Sequence, residues 1–122
     1  MVGDCFFYDT PPHGEHLFVV VAPSLERAGW FICTNISTLR TGSDTTCTLA
    51  AGEHGCLTNP VSVVIYSEAR ELPEALIERC CQRQALEPFN AALLTRIQNG
   101  ALSGGSRMKK GFQKAVRAYL GA

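Results

Sequence analysis

No apolar run in the sequence approaches the ~20 residues that a membrane-spanning helix requires. The longest, Leu17 to Ala22, is the length of a strand. The opening Met-Val-Gly-Asp has neither the basic n-region nor the apolar h-region of a secretory signal. There is no net charge, because eleven Lys and Arg balance eleven Asp and Glu. That excludes a globally basic nucleic-acid binder and leaves a local basic patch open. No CxxC pair occurs among Cys5, Cys33, Cys47, Cys56, Cys80 and Cys81, so the usual spacing of a structural zinc knuckle is missing. A Gly-rich phosphate loop, a paired-carboxylate motif and a dinucleotide fingerprint are absent too, as are internal repeats and low-complexity stretches. Without a visible signal, and with Cys5 and Cys33 inside apolar runs, the cysteines read as reduced core residues of a cytoplasmic protein.

What is present suits one domain over residues 1–122. Hydrophobic residues make up 46% and charged residues 18%, enough apolar material for a core and too little charge for a disordered chain. The charge is segregated. Residues 1–72 carry eight acidic and three basic side chains, a net of −5. Residues 73–122 carry three acidic and eight basic ones, a net of +5, with no acid after Glu87. Such asymmetry fits either a basic end that meets an anion, often nucleic acid, or a solvated helix face docked near the acidic half.

Composition shifts at the same place. The first part is rich in Val, Thr, Phe and Cys and predicts strands at Cys5–Tyr8, His16–Ala22, Trp30–Ile36, Thr45–Leu49 and Val61–Tyr66. The apolar centre of His16–Ala22 marks it as central and buried on both faces. Five short strands over about 65 residues predict a small antiparallel barrel or sandwich. The second part predicts helices. Pro73 suits a first helical position, with Leu76, Ile77, Cys80 and Cys81 at helical spacing. A second helix is expected from about Pro88 to Gln98, stopped by Asn99-Gly100. Ser106 would cap a last one, apolar along Met108, Phe112, Ala115, Val116, Tyr119 and Leu120. The fold class is α+β, mainly β, with a β core over 1–72 and two or three helices over 73–122.

Three histidines are available for proton transfer near neutral pH: His13, His16 and His54. His16 stands at a loop-to-strand junction and His54 in a Gly-Glu-His-Gly loop. Both are places where sites form, and equally where surface histidines sit. At the exit of the third strand, Thr34, Asn35, Ser37, Thr38 and Arg40 place hydroxyls, an amide and a guanidinium together. Such a set binds phosphate or caps a turn. A zinc reading would use His16, Cys47, His54 and Cys56 or His13, but its spacings fit no known finger. A Cys47–His pair would make a nucleophile, yet Cys47 between two threonines also reads as a half-buried strand residue. Arg96, Arg107, Lys109, Lys110, Lys114 and Arg117 are the basic stretch that would contact phosphates.

In order along the chain, Gly3-Asp4 opens the first strand and a Pro/Gly loop leads into His16-Leu17-Phe18-Val19-Val20-Val21. Thr34-Asn35-Ile36-Ser37-Thr38 and the strand Asn59-Pro60-Val61 through Arg70 follow. Over about residues 3–72 this set resembles the MazF/PemK/Kid ribonuclease toxins. The resemblance implies an SH3-like barrel with appended helices, a homodimer, a cognate antitoxin, and cleavage of single-stranded RNA without metal or cofactor. In that chemistry the ribose 2′-OH attacks the adjacent phosphate. The family's loop arginine is missing, because Glu15-His16-Leu17 stands in its place, and the family's Thr/Ser pair returns reversed as Ser37-Thr38. The expectation is therefore an endoribonuclease with His16 and His54 as acid and base, Ser37 and Thr38 on the phosphate, and Arg40 as the cation. The other expectation is a module of the same fold that binds nucleic acid or protein without catalysis.

Overall fold

Val19, Val20 and Val21 are consecutive, and all three are fully buried. A strand buries neighbouring residues only when both of its faces are covered, so the chain must lay material on either side of this segment. The computed structural model, which describes residues 1–12 and 14–121, has that arrangement. Five strands, β1 (Cys5–Asp9), β2 (Glu15–Pro23), β3 (Trp30–Thr38), β4 (Thr48–Ala50) and β5 (Val61–Pro73), form one antiparallel sheet in the order β1-β2-β3-β5-β4. Three helices follow: α1 (Glu74–Gln84), α2 (Ala91–Ala101) and α3 (Lys110–Leu120). The expected α+β class, with strands first and helices after, is what the chain adopts.

Side-chain alternation sorts the core into two layers. Leu17, Val19, Val21, Ile36, Val64 and Tyr66 face inward, where α2 supplies Leu93, Ile97 and Ala101 and α3 supplies Ala115 and Val116. Phe6, Phe18, Val20, Cys33 and Leu72 face outward and meet Ile77 and Cys80 of α1. Helix α1 lies against β1 and the end of β5, so it covers only part of the outer face. The remainder, toward the end of β3, stays open.

The sheet curls until its two edge regions meet. Sγ of Cys5 on β1 lies 3.8 Å from Nε2 of His54, in the loop after β4, and the backbone carbonyl of Glu87 accepts from both groups. The edge strands are covered by side chains rather than by further ladders. Gln84 of α1 pairs with Phe7 of β1 as a strand would: its Oε1 accepts from the Phe7 N–H and its Nε2 donates to the Phe7 carbonyl. On β4, Glu53 accepts from the Ala50 N–H, and Arg96 donates to the Thr48 carbonyl.

Several element boundaries differ from expectation. β4 begins at Thr48 rather than Thr45, because Asp44 accepts from both the Thr46 N–H and its hydroxyl and ties that segment into a turn. β5 continues past Tyr66 to Pro73, its pairing with β3 shifting register between Cys33 and Asn35. Helix α2 starts at Ala91 because the Asn90 side chain caps the Leu93 N–H. It runs through Gly100, where a stop was expected. Ser106 does accept a backbone N–H, that of Met108, but α3 starts only at Lys110. Among the described residues no helix is long and apolar enough to cross a membrane.

Candidate functional site

The open part of the outer face is a groove at the end of the sheet where β2 begins and β3 ends. In β2, His16 alternates with the inward Leu17. In β3, Asn35 and Ser37 alternate with the inward Ile36. The register places Phe18 opposite Asn35, and Asn35 opposite Ile65 of β5. One hollow of about 460 Å³ is lined by His16, Asn35, Ser37, Arg40, Ile65 and Glu68, with Thr38 at its side. A second, of about 410 Å³, shares His16, Ser37, Thr38 and Arg40 and continues toward the β4–β5 loop. His16 is half-buried and Arg40 exposed.

The groove's rim is built by short polar turns. The Arg40 N–H donates to the Ser43 hydroxyl, and the Ser43 N–H donates back to the Arg40 carbonyl. This closes a tight turn that sets Arg40 at the groove rim. Asn59 Nδ2 donates to the Thr38 hydroxyl oxygen at 2.9 Å, which leaves the Thr38 proton free to give. Asn35 is 3% exposed, and its Oδ1 has no hydrogen-bond partner among the described residues. A buried carbonyl left this way costs about 1–3 kcal/mol.

His54 is not part of this groove. It is 8% exposed and stacks against Phe89 with ring centroids 4.4 Å apart. Its Nδ1 accepts from the Cys56 N–H at 3.0 Å, so the ring proton sits on Nε2 and is donated to the Glu87 carbonyl at 2.6 Å. Both nitrogens are engaged by backbone, and the acid–base pairing of His54 with His16 gives way to a buckle that joins the β4–β5 loop to the α1–α2 connection. His54→Ala is expected to destabilise the fold by about 2–4 kcal/mol, through the lost packing and two stranded backbone groups. Urea denaturation measures this.

No protein-family model, curated protein or solved structure matches this chain.

The remaining candidates separate just as clearly. Arg96 forms an ion pair with Glu53, and its hydrogen bond holds the Glu53 carboxyl below the ordinary range. With its other nitrogen on the Thr48 carbonyl, this arginine braces β4 and is not free for phosphate. Lys109, Lys110, Lys114 and Arg117, with Arg107 before them, are exposed along α3. Since α3 packs on the inner face, this basic surface is not continuous with the groove. Cys47 is buried beside Tyr66, and burial raises its pKa, the reverse of what a nucleophile needs. Burial likewise pushes the Cys5 thiol up to about 12. All six cysteines are free thiols. Among the described residues no three His, Cys, Asp or Glu side chains gather as a metal site, and His13 lies outside those residues.

Two groove residues were not singled out for catalysis from the sequence. Asn35 was grouped with the phosphate set but carried no role of its own. Glu68 carried no role from the sequence, although it lies in the stretch Val61–Arg70.

Proposed function

We propose that the His16 groove cleaves single-stranded RNA by attack of the ribose 2′-OH on the neighbouring phosphate. The observation that carries this reading is that an imidazole, a carboxylate and a guanidinium (His16, Glu68 and Arg40) line one open hollow together with two hydroxyls. Those are the groups the reaction requires. Glu68 takes the 2′ proton as the new P–O2′ bond forms. Arg40 faces the negative charge gathering on the phosphorane, with the Ser37 and Thr38 hydroxyls donating to its non-bridging oxygens. The P–O5′ bond breaks and His16 protonates the departing oxygen. The products are a 2′,3′-cyclic phosphate and a 5′-hydroxyl. Compared with the expectation from sequence, Glu68 takes the role that His54, bonded to backbone at both nitrogens, does not fill.

An open groove on a sheet face suits a strand whose phosphates and bases are splayed rather than a duplex. In a toxin of this kind, an inhibiting antitoxin would cover the same groove. The test is incubation of the purified protein with a short single-stranded RNA and with its all-deoxy counterpart. The expected result is cleavage of the RNA alone, continuing in EDTA, with cyclic-phosphate ends seen by mass spectrometry. An intact RNA that nevertheless binds would establish the alternative, a non-catalytic nucleic-acid module, and an RNA that neither binds nor breaks would remove both.

A further inference from the structure

Asn35 is an unexpected residue for its place. Its neighbours across the sheet are apolar: Phe18 on β2 and Ile65 on β5. A leucine or valine there would continue the core without leaving a polar group stranded. Instead the position holds an amide that is 97% withdrawn from solvent, lines the groove, and has a carbonyl oxygen that is closed to solvent and without a donor among the described residues, so a ligand meets it when the amide turns toward the groove. The other two buried oxygens without partners differ from it. Asp44 already accepts two hydrogen bonds through its second oxygen, and Thr34 does not line the groove. Among the described residues, only Asn35 combines an unmet acceptor with a place in the hollow that holds His16 and Arg40.

We propose that Asn35 reads a nucleobase, and that the base it selects is adenine. This rests on the reading of the groove as an RNA site. A primary amide presents one acceptor beside one donor, and its complement is a base edge with a donor beside an acceptor. Every base has such a pair on its Watson–Crick edge, and adenine alone repeats it on its Hoogsteen edge, N6–H₂ beside N1 and N6–H₂ beside N7, so adenine meets the amide in either ring orientation. The half-buried Ile65, paired directly with Asn35, gives the ring an apolar surface to lie on. The base is then held at the groove floor while the phosphate beside it lies toward Arg40 and the Ser37 and Thr38 hydroxyls.

The experiment uses four short RNAs that differ only in carrying A, C, G or U at one position of an otherwise constant strand. Each is made with a 2′-deoxy sugar at that position for binding and with a ribose for cleavage. The expected wild-type result is a preference for A of about tenfold or more over the others in one or both assays. Asn35→Asp turns the donor into a second acceptor. It should move the preference from adenine to guanine, whose N1–H and N2–H₂ present two adjacent donors. Because a buried carboxylate can upset folding, Asn35→Leu is the second variant. It should fold at least as well as wild type and treat all four RNAs alike. A wild-type protein that handles the four strands equally, or an Asn35→Leu variant that keeps the adenine preference, overturns the assignment and leaves the RNA site standing. Four strands that are neither bound nor cut remove the RNA site and the base reading together.

Discussion

Replacing His16 with alanine is expected to slow RNA cleavage by about 10²–10⁴-fold, the usual contribution of a positioned general acid, while leaving RNA binding nearly unchanged. The expectation follows from where the side chain stands. His16 is half-buried on the outer face, outside both apolar core clusters, so its loss leaves the sheet intact. Its proposed role comes late in the reaction, when the 5′-oxygen leaves, so the effect should fall on kcat rather than KM. Glu68→Gln should lower kcat on a similar scale, through the attack step. The two act on one proton-transfer sequence, so the double variant should be little worse than the poorer single. A His16→Ala protein that cuts RNA at the wild-type rate would end the assignment of the groove as the catalytic site.

The second large effect concerns the fold. Gly100→Ala is expected to destabilise the protein by about 2–4 kcal/mol, combining overpacking with the loss of a buried hydrogen bond. In most helix interiors this change is favourable by roughly 1 kcal/mol, so even the sign is diagnostic. A Cβ at Gly100 would lie 2.2 Å from the Tyr66 hydroxyl and 3.0 Å from its Cζ, with Cβ of Cys47 at 3.2 Å. Tyr66 is fully buried, and its hydroxyl donates to the Ile97 carbonyl at 2.7 Å, so the ring has little room to retreat. Adding Tyr66→Phe to the Gly100→Ala background removes the closest atom and should restore part of the lost stability. Chemical denaturation of the four proteins of this cycle measures both terms, and an unchanged midpoint for Gly100→Ala would show that the helix does not approach the sheet so closely.

Gly100 also shows how far the sequence could be read. Asn-Gly after a helical pattern is a stop signal in local terms, and only the position of Tyr66, 34 residues earlier in the chain, makes that glycine a point of close contact. Strands were legible because alternation and β-branching are local, and the doubly buried character of Val19–Val21 was visible in the apolar run itself. The end of β5 was not, since the strand continues through Ser67, Glu68 and Arg70, polar residues on a partly open face. His54 misled for a related reason. A histidine between glycines looks available for chemistry, but its burial against Phe89 and its bonds to Cys56 and Glu87 depend on how the sheet curls. Ser37, Thr38 and Arg40 were recognisable because their grouping is continuous in sequence. The burial of Asn35 among them depends on Phe18 and Ile65 across the sheet.

The side chains that cover the two sheet edges have a consequence for self-association. Growth of one sheet into the next requires a strand whose outward N–H and C=O groups are vacant on each copy. On β1 that place is taken by Gln84, and on β4 by Glu53 and Arg96. A second molecule therefore meets faces and loops, not a template, so any association of copies runs through side-chain surfaces rather than by a ladder that could be extended without limit.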